Sequence, residues 1–208
     1  MLMNKVKIIF LIFIFFLSCD KLETKYSCAT YSCVENDAGL FHSIDECEQN
    51  CLKPNQTGTR VTVFLYENCP IAQYMCGPLR NTYRYFCDTL NEPIIFRAFS
   101  PNAFSTEESL ANFIEKYDIP FNVELDYDYI NETPGNYTQY YQPTVTPEVF
   151  IEFNGEVVYK GMIDNSYQSL GDWTPPTENY LADVLQLITN NQTVYYSETE
   201  AIGCFINY

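Results

Sequence analysis

Histidine is nearly missing from this chain: His42 is the only one in 208 residues. Ser-His-Asp and Cys-His catalysis in the main body is thereby excluded, because both need an imidazole to move the proton. A histidine-bearing metal centre has no material to form from. Basic side chains are scarce as well, 11 Lys and Arg against 27 Asp and Glu, for a net charge of −16. No basic cluster occurs beyond the first few residues, which removes nucleic acid as a partner, since phosphate binding needs concentrated positive charge. The acidic excess reads as a solubility device. The chain also lacks the apolar run of about 20 residues that spans a bilayer as a helix. Its apolar run from Ile8 to Leu17 is about half that length and follows Lys5 and Lys7, the pattern of an export signal rather than of folded structure.

What is present starts with cysteine. Nine cysteines in 208 residues suit an oxidising compartment and would be out of place in a reducing cytosol. Ser18-Cys19 closes the signal in a way that resembles the lipobox of bacterial lipoproteins, although Phe16 and Leu17 stand where that pattern has Leu and then a small residue. The resemblance implies cleavage before Cys19 and a lipid on its sulfur; an ordinary secreted protein cut nearby is the alternative. Asn55, Asn131, Asn136 and Asn191 each open an Asn-x-Ser/Thr sequon, which matters only in a eukaryotic secretory path. The expected organisation is a signal at 1–18, a tether at 19–25, a small cysteine-rich module at 26–54 and one α/β domain at 55–208.

In the module, YSCATYSCVENDAGLFHSIDECEQNCLKP, Cys28, Cys33, Cys47 and Cys51 are even in number and close together, which suits two disulfides. Ser43 and Glu46 form a capping-box pattern that places Cys47 and Cys51 one turn apart on a short helix. The stretch FHSIDECEQNC is similar to the last helix of a Kunitz-type domain, and that resemblance implies the nested pairing Cys33 with Cys47 and Cys28 with Cys51. The inhibitory loop has no counterpart, so protease inhibition does not carry over. A four-cysteine zinc site is the rival and would show tighter pairs. A stapled spacer between membrane and main domain is the reading adopted.

From Thr59 strand and helix signals alternate. RVTVFLY is β-branched and aromatic, and Pro70 then sits at a first helical position for a helix running to about Leu90. PIIFRAF is the next strand, and STEESLANFIEKYDIP a helix capped at Ser105 and stopped at Pro120. FNVELDYD alternates like a half-buried strand, and PEVFIEFNGEVVYKG turns at Asn154-Gly155 as a hairpin. TENYLADVLQLITNN is an amphipathic helix. The order implies an α/β fold with a mixed sheet and helices on both faces.

That order resembles the thioredoxin-like fold, and three motifs carry the likeness: a strand entering Cys69-Pro70 at a helix start, Val145-Thr146-Pro147-Glu148 entering the hairpin, and the tail ETEAIGCFI. The last is similar to the end of exported bacterial redoxins related to peroxiredoxins. The resemblance implies a cis Pro147 facing the nucleophile Cys69, a groove formed with Pro70 and Thr146 in which an extended substrate pairs with the Thr146 backbone, and Cys204 as a resolving thiol. Protein thiols or disulfides would be the partners, with no cofactor and no metal.

The departure is Ala72. A redoxin helix begins Cys-Pro-x-Cys or Cys-Pro-x-Ser; here it reads Cys69-Pro70-Ile71-Ala72, so the local cycle, in which a second thiolate releases the mixed disulfide, is missing. Cys69 keeps the means to react, because a helix N-terminus favours thiolate and lowers its pKa. Cys76 stands about 10 Å further along an intact helix, beyond disulfide reach unless Gly77-Pro78 breaks it, and its CGPL echo of the thioredoxin CGPC lies too far from the strand end. Cys87 would pair with Cys76 or sit buried. Peroxidase chemistry is disfavoured, since Tyr66 and Thr62 occupy the positions where peroxiredoxins carry Thr or Ser and Pro. Copper delivery would need CxxxC and a later histidine. Two functions compete: a lipid-anchored extracytoplasmic thiol:disulfide oxidoreductase, and a scaffold of the same fold without turnover, to which 18 tyrosines would lend an interaction surface.

Overall fold

The computed structural model describes residues 25–29, 32–35, 41–44, 47, 58–195 and 198–206; the signal, the tether apart from Lys25, and Cys51 fall outside them. Within the module, β1 (Tyr26–Ala29) and β2 (Ser32–Glu35) form an antiparallel ladder that sets Cys28 opposite Cys33. Cys33 is joined to Cys47 with Cα atoms 6.0 Å apart, and the Cys47 amide donates to Ser43 O at 3.0 Å.

The main domain is built on β3 (Thr59–Phe64), β4 (Ile94–Ser100), β5 (Val123–Leu125), β9 (Glu148–Phe153) and β10 (Glu156–Gly161). They lie in the order β10-β9-β3-β4-β5. β3, β4 and β5 run parallel and β9 and β10 antiparallel to their neighbours. Two parallel neighbours cannot be joined by a tight turn, so β3 reaches β4 through α1 (Pro70–Tyr83) and the π-helical turn Arg84–Thr89. β4 reaches β5 through α2 (Glu107–Tyr117). Antiparallel β9 and β10 need only the hairpin, with Asn154 and Gly155 both at positive φ. The fold is the thioredoxin-like mixed sheet with helices on both faces that the motifs imply.

Period two sorts each strand. Val61, Val63, Ala98, Val149 and Ile151 meet α1, α2 and α4 (Tyr180–Thr189) in one apolar core. Leu79 and Leu185, 1% and 0% exposed, lie inside it, so truncating either to Ala costs about 2–5 kcal/mol. The opposite face carries Phe64, Phe99 and Phe150 under Tyr141 of the short helix α3 (Asn136–Tyr141). Beside them Arg60 and Arg97 share the Glu152 carboxylate, each 3.6 Å from Oε2, with all three side chains buried. Tyr141 OH donates to the same oxygen at 2.7 Å.

Some boundaries differ from the sequence reading. The cap of α2 is Thr106 rather than Ser105: its hydroxyl accepts from Ser109 N and its amide donates to Ser109 Oγ. Ser105 is drawn away to Glu67. The strand read across FNVELDYD breaks at Asp126 into β5 and β6 (Tyr127–Asp128), which pairs with β7 (Thr133–Pro134). The Asp126 carboxylate turns instead to the Thr138 amide and hydroxyl, 2.6 Å each. A final small ladder joins β11 (Tyr167–Ser169) to β12 (Asp172–Trp173). Among the described residues no helix is long and apolar enough to cross a membrane.

Candidate functional site

The end of β3 turns into α1 at Tyr66-Glu67-Asn68-Cys69, and the turn is fixed from both sides. The Cys69 amide donates to Tyr66 O at 2.9 Å, and Gln73 Nε2 donates to Glu67 O at 2.7 Å. The buried Glu67 carboxylate accepts from Ser105 Oγ and Ser109 Oγ, each 2.7 Å away. Glu67 is the positioning residue the sequence reading missed; an acid between strand and helix carries no periodic signal, and its hydroxyl partners lie about forty positions downstream, just before α2 and in its first turn.

Cys69 is the N-cap of α1 with extended backbone, Pro70 follows in the first turn, and no acidic side chain sits there. Unpaired amides therefore converge near the sulfur with no neighbouring carboxylate of the helix to oppose them. Ala72, where a second sulfur would stand in a CxxC helix, is 0% exposed in the core.

The other wall is β8 (Val145–Thr146), which ends in a cis Thr146-Pro147 bond. The Thr144 amide donates to Glu148 Oε2 at 2.6 Å, closing the segment around the proline. Cys69 Sγ lies 3.1 Å from Thr146 O. As a disulfide sulfur it has no proton to give; reduced, it can donate to that carbonyl.

The partner of Cys69 is Cys204, 135 positions further along the chain, with Cα atoms 6.0 Å apart. Cys204 comes in on β13 (Cys204–Phe205), which pairs antiparallel with β8 in the register Cys204 with Thr146 and Phe205 with Val145. The tail is fastened upstream as well. Thr199 N donates to Lys160 O at 3.0 Å, Thr199 Oγ1 accepts from Met162 N at 2.8 Å and pairs with Tyr159 OH at 2.7 Å, and Glu198 meets Lys160 at 3.3 Å. Gly161, at φ +130°, lets the tail pass: a Cβ there would fall on Thr199 O. Cys69 is covered completely, while Cys204 stays partly exposed.

Thus Cys69, Thr146, Pro147 and Cys204 converge, and Pro70 is at the exposed rim of the same turn. Cys76 and Cys87 take no part and are free thiols; the alternative that they bridge is not what the chain adopts. Cys76 donates to Ala72 O at 3.2 Å inside α1, and burial pushes its pKa up to about 12. Cys87, half-buried, is pushed up to about 11 by burial and then by Asp88.

No family model and no curated protein matches the chain. Two solved structures superpose on about three quarters of it. One is an uncharacterized conserved protein from Geobacillus kaustophilus, 19% identical, TM-score 0.61, covering 74% of this chain and 79% of that one. The other is a hypothetical protein from Sinorhizobium meliloti 1021, 19% identical, TM-score 0.60, covering 74% and 81%. A secreted Mycobacterium tuberculosis disulfide oxidoreductase homologous to E. coli DsbE aligns over 50% of this chain and 68% of its own, at 17% identity and TM-score 0.39. These likenesses concern the fold.

Proposed function

We propose that the chain is an exported thiol:disulfide oxidoreductase, held to a membrane by a lipid on Cys19, in which Cys69 is the nucleophile and Cys204 the resolving thiol. The observation that carries this reading is the meeting of Cys69 and Cys204 at a helix N-terminus, against the backbone that precedes Pro147. It supplies, from 135 residues away, the second sulfur that Ala72 fails to provide.

In the dithiol state the tail can leave β8 and open the groove. The Cys69 thiolate attacks one sulfur of a substrate disulfide; the substrate S–S bond breaks, a mixed disulfide forms and the other substrate sulfur departs as thiolate. Cys204 thiolate then attacks Cys69 Sγ, forms the Cys69-Cys204 bond and expels the second substrate thiolate. One substrate disulfide is reduced and two protein thiols are oxidised, and a dithiol protein partner returns them to the start. Run in reverse, the same steps oxidise a substrate.

The test is insulin reduction with dithiothreitol as electron source. Cys69→Ser is expected to lower the catalysed rate by about 1000-fold, as loss of a nucleophile does; a rate equal to that of the wild type would dispose of the assignment. The rival, a redox-silent scaffold of the same fold, draws on Ala72 and on the full burial of Cys69. The two part on whether reduction uncovers Cys69, which alkylation of the reduced chain and peptide mapping read directly.

A further inference from the structure

The groove beside Pro147 is occupied by a peptide, the protein's own tail, and that peptide reports what the groove accepts. We propose that it selects extended segments in which glycine directly precedes the reacting cysteine and a large apolar residue follows it. The proposal rests on the redox reading of Cys69 and names the substrate class for it.

Gly203 carries the argument. Its φ lies outside the left-handed range, so its backbone conformation does not call for glycine. Space does. A Cβ on residue 203 would fall on the Thr146 carbonyl oxygen, 2.7 Å from Thr146 C and 3.1 Å from Pro147 N. All three atoms belong to backbone that the Thr144-Glu148 hydrogen bond and the β9 ladder hold in place. Gly77 and Gly171, by contrast, would place a Cβ in open space.

An incoming substrate meets the same wall. Cys69 Sγ is fixed at the start of α1 and 3.1 Å from Thr146 O, so a substrate sulfur bonded to it stands where the sulfur of Cys204 stands. If the peptide extends β8 antiparallel as the tail does, its cysteine falls opposite Thr146 and its preceding residue falls on the place of Gly203. Backbone pairing is indifferent to sequence; the steric block is not. Overpacking against rigid backbone disfavours any side chain there.

The residue after the cysteine faces a different environment. Phe205 is 77% exposed and, with Tyr66, Pro101, Phe104 and Tyr127, borders a shallow hollow of about 50 Å³. Phe104, 79% exposed, stands on the same rim. Single exposed aromatics are ordinary, but two at the mouth of one groove provide an apolar shelf for the side chain that follows a bound cysteine.

The experiment uses the full chain carrying Cys204→Ser, reduced, so that Cys69 is released from its bond. Two synthetic peptides, Ser-Gly-Cys-Phe and Ser-Ala-Cys-Phe, are supplied with the cysteine as a mixed disulfide to 2-thiopyridine. Cys69 thiolate attacks the peptide sulfur, the bond to the pyridyl sulfur breaks, and the pyridinethione released is followed by absorbance while mass spectrometry locates the adduct. The glycine peptide is expected to react about tenfold faster or more. The small probe 2,2′-dithiodipyridine, which has no residue on either side of its sulfur, reports the intrinsic reactivity of Cys69. Equal peptide rates with Cys69 still modified by the small probe would overturn the selectivity and leave the redox reading standing. A Cys69 inert to the small probe would overturn both. Should Cys204→Ser fail to fold, the reduced wild type serves: the glycine peptide should re-form the Cys69-Cys204 bond faster than the alanine peptide, and equal rates would refute the selectivity.

Discussion

Cys69 and Cys76 belong to the same turn-and-helix segment and are equally hidden from solvent, 0% and 1% exposed, yet one is bonded to Cys204 and the other is a free thiol. Cys76 lies in the interior of α1, where its own thiol donates to Ala72 O. Burial there only penalises the anion, and the pKa rises to about 12. Cys69 lies at the end of the helix, where amides lack partners, and it is bonded to a strand added at β8. Burial by packed core is permanent; on the proposed reading the burial of Cys69 is conditional on the tail. The comparison shows that exposure in one state says little about the reactivity of a thiol unless the covering element is named.

The contrast should be largest in alkylation of the reduced protein. At pH 8 a thiol of pKa 11 is only about 0.1% thiolate, and one of pKa 12 about tenfold less, so iodoacetamide should label Cys69 and Cys204 at least about 100-fold faster than Cys87 or Cys76. Between pH 8 and pH 10 labelling of Cys87 should climb about 100-fold, because a raised pKa leaves its thiolate fraction growing tenfold per unit. Comparable labelling of Cys76 and Cys69 at pH 8 would break the comparison. Gly203→Val comes next: a side chain pressed on Thr146 O should make the Cys69-Cys204 bond about tenfold easier to reduce in a glutathione buffer, read as the fraction of closed form by mass spectrometry. Thr199→Ala removes the hydroxyl that serves Met162 N and Tyr159 OH, and re-closure of the reduced tail, followed by quenched alkylation, should slow by a factor of about 3 to 10. Smallest of all is Cys76→Ala, which should leave insulin reduction within about twofold of wild type.

How far the sequence could be read follows the same division between local and distant causes. The strands announced themselves because Val61, Val63, Val149 and Ile151 alternate with their neighbours and all fall on one buried face. The hairpin at Asn154-Gly155 and the entry Cys69-Pro70 are local chemistry and appear where the motifs place them. The polar face was not legible: period two separates Arg60, Thr62, Arg97 and Glu152 from the apolar positions, but the cover that completes the buried ionic cluster includes Tyr141, from a helix elsewhere in the chain. The Ser105 cap was misplaced for the same reason, since Glu67 claims that hydroxyl from 38 positions upstream. The tail sits between these cases. Its cysteine was recognisable as a distant partner, but its lodging as an added strand depends on an absent side chain at Gly203 meeting Thr146 O, a coincidence of two backbones that no spacing rule encodes.

On the proposed redox reading, the clasp at Thr199 limits how far the tail can travel. When Cys204 lets go, the arm is still hooked to Lys160 and Met162 five residues upstream, and five residues reach at most about 17 Å. The freed sulfur thus roams a small volume over the groove, at an effective concentration in the millimolar range or above. On that reading a bound substrate would stay within reach of the thiol that evicts it.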